Sequence, residues 1–308
     1  MSMNPKHIVI AGGSGFIGRA LAAELAAQHF PVVLLTRTPR DRADGIREVA
    51  WDGKNPGAWT TTLAGARAVI NLTGQNINCP HTPENLAAIT ASRVDSVNAL
   101  AAAIVSLAEP PRVWVQASAV GFYGDTGDAV CDETAPAGSN ALADICRRWE
   151  DAFAAANLPA TRKVTLRIGM VLGRDGGALP VLRKLVKWYL GGAVGSGQQY
   201  ISWIHLADLV AMFLAAIRRE NLYDAFNAVA PVAVTNADFM AELRRVLHRP
   251  HCPNAPELAV RLGARLMGSE PTLALISQRC LPAKFLEIEL RYQYPQLRAA
   301  LENLCGKK

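Results

Sequence analysis

Residues 8–18 read Ile-Val-Ile-Ala-Gly-Gly-Ser-Gly-Phe-Ile-Gly: an apolar run that breaks into glycines at 12, 15 and 18 and then opens a helix. A strand passing into a helix through such a turn is a place to lay a dinucleotide. Gly12 allows the tight turn, Gly15 lets backbone N–H groups approach a pyrophosphate, and Gly18 lets helix and strand pack closely. The positive end of the helix, Arg19 to Ala27, then faces the phosphates. A purely structural glycine turn is the competing reading, and the apolar run before it and the helical pattern after it weigh against that.

The next strand selects the nucleotide. Pro31-Val-Val-Leu-Leu-Thr36 ends where a carboxylate would bind the ribose hydroxyls of NAD, about 20 residues past the glycines. This chain instead places Thr36, Arg37, Thr38, Pro39 and Arg40 there, with Arg42 close behind. A carboxylate would repel a 2′-phosphate, whereas a guanidinium makes a charge-assisted fork with it. The expectation is NADP(H), with Arg37 as the fork. Arg40 and Arg42 also fit a solvated basic turn.

Strand-like runs at 7–11, 31–36, 47–51, 67–73, 112–118 and 163–169 alternate with helical stretches near 16–28, 84–107 and 140–156. This alternation predicts an α/β protein: a Rossmann-type doubly wound parallel sheet with helices on both faces. After Gly173 the character changes. A helix from Asp175 to Leu190 precedes a glycine-rich loop at 191–197. Residues 207–217 look like a helix returning to the nucleotide domain, Phe226 to Ala230 like a strand, and Thr235 to Asp238 like the cap of a helix ending at Leu247. Residues 250–308 read as mostly helical, basic and proline-punctuated. The expected division is a nucleotide-binding core at 1–174, rejoined by 207–230, and a smaller, mostly helical C-terminal substrate lobe formed by 175–206 and 231–308.

Composition narrows the class further. Of 308 residues 50% are hydrophobic and 19% charged, ordinary for an enzyme with a substantial core. The six cysteines, at 79, 131, 146, 252, 280 and 305, show neither C-x-x-C nor zinc spacing. They suit reduced thiols in a cytoplasm, and no metal site is expected. The amino terminus runs straight into the first strand, without signal or transit character. The longest apolar helix, expected at Leu206 to Ile217, is too short to span a bilayer, so no membrane partner is expected. Residues 1–150 hold 12 of the 32 basic and 14 of the 26 acidic side chains, which leaves 20 and 12 in residues 151–308. No basic run interleaved with aromatics accompanies this excess, which argues against a nucleic-acid partner. The expected partner is a small-molecule substrate, with the chain a monomer or homodimer.

Further motifs converge on one pattern. Asn71-Leu-Thr-Gly74 ends the fourth strand, Ser118-Ala-Val-Gly-Phe-Tyr123-Gly124 follows the fifth, and Leu166-Arg-Ile-Gly-Met-Val-Leu-Gly173 follows the sixth. Trp203-Ile-His205-Leu-Ala-Asp208 comes later. The chain resembles the extended short-chain dehydrogenase/reductases, the group containing sugar-nucleotide epimerases and dehydratases. More narrowly, 191–208 and Ser277 to Pro282 resemble an atypical branch called the epimerase family proteins, sometimes labelled cell-division-inhibitor-like. The resemblance implies an NADP(H) site with Gly12, Gly15, Phe16, Ile17 and Gly18 at the pyrophosphate. It implies Thr36 and Arg37 at the 2′-phosphate, and Leu72, Thr73 and Gly74 at the adenine-proximal ribose. It also implies Arg93 near the cofactor, although helical position alone suggests a surface ion pair, and Val171 lining the nicotinamide pocket.

The wider group moves a hydride beside a Tyr-x-x-x-Lys pair on one helix face and a Ser or Thr after the fifth strand. Here the pair is missing. Aligned on Glu150, the tyrosine position falls on Leu142 and the lysine position on Cys146, and no lysine lies between Lys54 and Lys163. Counting back four from Tyr123, the Ser/Thr position falls on Ala119, next to Ser118. Three readings stay open: Tyr123 as an alternative acid with Ser118 as its partner, a proton from substrate or water, or NADP(H) binding without turnover in a regulatory protein. Tyr123 also fits a packing role. His205 fits a general base or a structural histidine, with Asp208 orienting it or capping a helix. Glycines 191, 192, 195 and 197 could offer N–H groups to a substrate, form a lid, or simply turn the chain. Asp132 and Glu133 match a loop-stabilising turn. The expected activity is that of an NADP(H)-dependent oxidoreductase or epimerase-like enzyme on a small polar or carbonyl substrate.

Overall fold

Seven parallel strands form one sheet in the computed structural model, which describes residues 6–266 and 268–306. They are β1 (Ile8–Ala11), β2 (Val32–Thr36), β3 (Arg47–Ala50), β4 (Ala68–Asn71), β5 (Val113–Ala119), β6 (Arg162–Ile168) and β7 (Asp224–Ala228). Across the sheet the order is β3-β2-β1-β4-β5-β6-β7. The winding direction reverses between β1 and β4, and the crevice outside their carboxyl ends is where such a sheet holds a ligand.

Every residue of β1, β2 and β4 is buried, as expected of central parallel strands covered on both faces. The edge strand β3 is half exposed. Helices α1 (Phe16–Ala27) and α5 (Leu206–Arg218) pack together, as do α2 (Pro83–Val105) and α3 (Ala141–Ala155), and these pairs cover the sheet. Ile10, Leu34, Trp114 and Phe213 lie at 0% exposure in the resulting core. Each such side chain stabilises the fold by about 1.5–3 kcal/mol through burial. Thr82 and Asn140 cap α2 and α3 by accepting from Asn85 N and Ala143 N.

A second apolar cluster joins Leu172, Leu179, Val186 and Trp203 to Phe239, Met240 and Leu243 and to Leu297, Ala300 and Leu301. It is built from α4 (Leu179–Lys187), α6 (Asn236–Val246) and the last helix, α9 (Leu297–Cys305). Between α6 and α9 lie α7 (Glu257–Leu266) and α8 (Ala283–Glu287). Residues 250–306 are less continuously helical than their pattern suggests. Prolines punctuate them, and the short strand Arg279–Cys280 pairs in parallel with Val130–Cys131.

Two boundaries differ from the sequence expectation for local reasons. β4 stops at Asn71 because the Asn71 side-chain carbonyl accepts from Thr73 N, which turns the chain before residue 73. α4 stops at Lys187, and Tyr189 beyond it takes a left-handed φ of 61°. The longest apolar helix is α2, not α5. Its 23 residues, with mean hydropathy 1.2 in the most apolar stretch, are long and apolar enough to cross a membrane by length and composition alone, and here α2 packs against α3.

Candidate functional site

The glycine turn is built as tightly as the sequence suggests, with one redistribution of roles. Gly12 has φ +72°, and a Cβ there would lie 3.0 Å from the Leu72 carbonyl carbon and Thr73 N. A Cβ on Gly18 would lie 2.6 Å from Gly13 Cα and O, so Gly18 and Gly13 together set the approach of α1 to β1. Gly13 was not singled out from the sequence; its own Cβ would strike Leu34 Cδ2 at 2.6 Å. Gly15 is exposed and free of such crowding, and it precedes α1 without any side-chain cap. The first N–H groups of α1, on Phe16, Ile17 and Gly18, therefore lack a capping acceptor, and no acidic residue occupies that turn. Phe16 turns its ring onto the backbone of Gly173 and Gly176 and joins this loop to the segment following Val171.

Strand register brings the other expected residues to the same edge. Ala11 pairs with Leu35 on one side and Asn71 on the other, so Thr36–Arg37 and Leu72–Gly74 flank the turn. Thr36 Oγ1 donates to Ser14 Oγ at 3.4 Å. Arg37 is exposed, and among the described residues no carboxylate takes its guanidinium. Arg42 is different: it pairs with Asp44 and, at 3.2 Å, with Glu48, and Glu48 also accepts from Arg40 N. Among the described residues the basic turn thus leaves the Arg37 and Arg40 guanidinium groups without a carboxylate, and Arg37 is the one that immediately follows the strand.

Two further features fit a bound phosphorylated nucleotide. Thr73 Oγ1 is buried with no hydrogen-bond partner. Arg93 presses against Gly74, whose Cβ would lie 3.1 Å from the Arg93 Cζ. Rather than forming a surface ion pair, Arg93 donates to the Gln75 and Ile89 carbonyls, both at 3.1 Å, and stacks 5.0 Å from the Trp149 ring. Burial pulls its pKa below the ordinary value, with only the nearby Cys146 thiol opposing. A desolvated cation without a carboxylate favours an incoming anion.

The polar groups beyond β5 are arranged in the opposite manner. Ser118 Oγ donates to Glu150 Oε1 at 2.6 Å, and Glu150 receives Arg167 through Nε at 3.0 Å and Nη2 at 2.8 Å. Arg167 Nη1 donates to the Tyr123 hydroxyl at 2.9 Å, and that hydroxyl donates to Asn227 Oδ1 at 2.7 Å. Asn227 gives its amide to the Cys131 and Leu281 carbonyls, and its backbone N–H goes to Glu133. Arg167 also lies 3.5 Å from the Phe122 ring centroid. Tyr123 is 4% exposed, and burial drives its pKa up despite Arg167. The residues expected to act as acid and partner thus join one buried network in which each hydroxyl proton already has an acceptor. Asn227 is invisible to local sequence reading except as a polar residue inside an apolar strand run.

Leu142 and Cys146, at the missing pair's positions, are buried against Gly121. Burial pushes the Cys146 thiol up to about 12, so it is neither acid nor nucleophile at neutral pH. His205 caps α5, its Nδ1 accepting from Ala207 N at 3.0 Å while Nε2 faces Asn303 Oδ1, which excludes the ring from general-base work in this state. Asp208 accepts from Gln293 N and Tyr294 N and holds the C-terminal segment instead of orienting His205. In the 191–197 loop Val194 N donates to Asn236, Gly195 N to Ala255 and Gly197 N to Val194, so two of its four glycine amides are engaged within the protein, while Gly191 and Gly192 are buried. Asp132 accepts from Thr134 N, a loop-stabilising turn. Among the described residues no group of three His, Cys, Asp or Glu side chains could hold a metal. A cavity of about 670 Å³ lies between α1, α5 and the 173–175 turn; of the expected cofactor residues Phe16 alone lines it.

Comparison with known proteins agrees with this architecture. Residues 8–228 match the NAD dependent epimerase/dehydratase family, and residues 255–304 match a domain of unknown function, DUF1731. The chain is 34% identical to the epimerase family protein SDR39U1 of Bos taurus, covering 97% of this chain and all of that protein. It is also 34% identical to the chloroplastic SDR39U1 homolog of Arabidopsis thaliana, covering 96% of this chain and 86% of the relative. The crystal structure of human SDR39U1 (isoform 2) with NADPH superimposes with a TM-score of 0.87 at 31% identity, over 98% of this chain and all of the human one. The glycine cradle, the 3-2-1-4-5-6-7 sheet and these matches together place the chain in the NAD-dependent epimerase/dehydratase family, among the epimerase family proteins that carry DUF1731.

Proposed function

We propose that the chain is an NADP(H)-dependent oxidoreductase of the extended short-chain type, acting on a small polar or carbonyl substrate. The observation that carries this reading is the pair of guanidinium groups, Arg37 and Arg93, left without carboxylates among the described residues on either side of an uncapped helix start. Gly12, Gly15 and the N–H groups of Phe16, Ile17 and Gly18 would hold the pyrophosphate. Thr36 and Arg37 would hold the 2′-phosphate, while Leu72, Thr73 and Gly74 would meet the adenine-proximal ribose beside Arg93. Val171 would line the nicotinamide side. The related human structure with NADPH supports the same choice of coenzyme. When bound, the coenzyme supplies or accepts a hydride.

Tyr123 and Ser118 would not supply the accompanying proton. Tyr123 and Ser118 are committed to Asn227 and Glu150, and their network fixes the floor of the crevice by tying β5, β6 and α3 together. The proton then comes from water or from the substrate. The six cysteines, all unpaired, support a reducing compartment such as the cytoplasm.

Following nicotinamide absorbance over a panel of aldehydes, ketones and nucleotide sugars tests the reading. Turnover is expected with NADPH, and the Tyr123→Phe variant is expected to retain it within a few-fold. Tight NADPH binding with no turnover across the panel would instead identify a regulatory NADPH-binding protein. Loss of turnover in a folded Tyr123→Phe protein would return the tyrosine to the role of acid.

A further inference from the structure

The end of the sheet opposite the nucleotide crevice carries a second concentration of positive charge. Arg67 immediately precedes β4, Arg112 immediately precedes β5 and Arg162 begins β6, three neighbouring strands of the sheet. Ala68 pairs with Val113, and Val113 pairs with Arg162, so the three arginines stand in a row along one edge. Arg218, the last residue of α5, closes the row from the side. Together they line a cavity of about 380 Å³, within the size range of small-ligand sites, and Glu220 is the one carboxylate that lines it.

Carbonyls account for only part of this charge. Arg162 donates to the Leu222 carbonyl at 2.5 Å and the Ala216 carbonyl at 2.9 Å, which satisfies the C-terminal end of α5. Burial pulls the Arg162 pKa down, with Glu220 opposing. Arg218 reaches Gln28. Arg67 lies over the Phe30 ring at 5.7 Å, and its Nε is buried without a partner. Arg112 is exposed. Among the described residues none of the four forms a salt bridge, and the nearby Glu109 is engaged 4.0 Å away by Lys6. Like charges around a partly enclosed space repel one another, and solvent offsets that repulsion less than it does on an open surface. Guanidinium groups arranged as forks around such a space match phosphate oxygens.

We propose that this cavity is a second, separate anion site that binds an oligophosphate chain, either free or as the tail of a nucleoside triphosphate. Its recognition rests on Arg67, Arg112 and Arg218, with Arg162 positioned by the α5 carbonyls. The site is independent of the nucleotide crevice, since it lies at the amino ends of the strands whereas the glycine turn lies at the carboxyl end of β1.

Titration calorimetry of the whole protein with tripolyphosphate tests the site. Binding is expected below millimolar concentration, weakening steeply between 50 and 200 mM salt. The charge reversal Arg112→Glu, at an exposed position, is expected to raise the Kd at least tenfold, and Arg218→Glu to do so by a comparable factor. Arg37→Ala, in the other crevice, is expected to leave this Kd unchanged. ATP binding with the affinity of tripolyphosphate identifies the phosphate chain alone as the ligand; tighter ATP binding that is also lost in Arg112→Glu identifies a nucleoside triphosphate. Unchanged circular dichroism and thermal midpoint establish that the variants fold. Absence of binding at millimolar tripolyphosphate, or binding lost in Arg37→Ala and retained in Arg112→Glu, overturns the proposal.

Discussion

The two sides of the crevice treat polar groups in opposite ways. On the glycine side, the helix start has no cap, Thr73 Oγ1 has no partner, and Arg37 and Arg93 have no carboxylate. On the Tyr123 side, the hydroxyls of Ser118 and Tyr123, the Glu150 carboxylate and the Arg167 guanidinium are joined in one chain of hydrogen bonds. Leaving the buried Thr73 hydroxyl unpaired and the desolvated Arg93 without a counter-charge costs stability, which a ligand that completes them would restore. A satisfied network behaves as scaffold, rigid and unavailable for proton transfer without rearrangement. The difference teaches that one wall of a crevice can keep donors and cations open while the opposite wall is locked into support.

The largest expected effect would break the scaffold side. Arg167→Ala strands Glu150 in a buried site and removes the cation stacked on Phe122, so stability should fall by about 3–5 kcal/mol in urea unfolding. A loss below 1 kcal/mol would show that the network is solvated rather than buried.

A smaller effect sharpens the comparison at the join between the two apolar clusters. Burial holds the His205 imidazole below its ordinary pKa, against the raising influence of Asn303 and Asp208. The unfolded chain therefore takes up a proton near pH 6.5 while the folded chain takes it only at lower pH. Stability from this group is complete above about pH 6.5 and is lost as pH falls through the folded value. Protonation would also remove the Nδ1 acceptor for Ala207 N. His205→Asn keeps a capping oxygen and no titrating group, so its acid-side stability slope should be shallower than that of the parent protein. Identical slopes for the two proteins would show that His205 does not titrate differently on folding.

The glycine turn and the residues that flank it were legible in the sequence because their logic is local. Gly12, Gly15 and Gly18 lie within one turn, and Arg37 immediately follows its strand. Gly13 was missed because its constraint comes from Leu34, on the neighbouring strand. The parallel sheet followed from periodicity, whereas the ends of β4 and α4 depended on an Asn71 side-chain turn and a left-handed Tyr189. The scaffold side was illegible for the reverse reason: Tyr123 meets Asn227 across 104 residues, and Val194 and Gly195 of the glycine-rich loop are held by Asn236 and Ala255. Arg93 shows both limits. Helical position suggested a surface ion pair, and only the fold sets it under Gly74 against Trp149.

The central claim is that the uncapped turn and the uncommitted Arg37 select a coenzyme carrying a 2′-phosphate. Titration calorimetry with NADPH and NADH, on the parent protein and on Arg37→Ala, tests it most directly. The account predicts tighter NADPH binding in the parent, and in the variant a loss for NADPH of about 1.5–3 kcal/mol, roughly ten- to hundredfold, with little change for NADH. Equal losses for the two coenzymes, or no detectable binding of either by the parent protein, would contradict it.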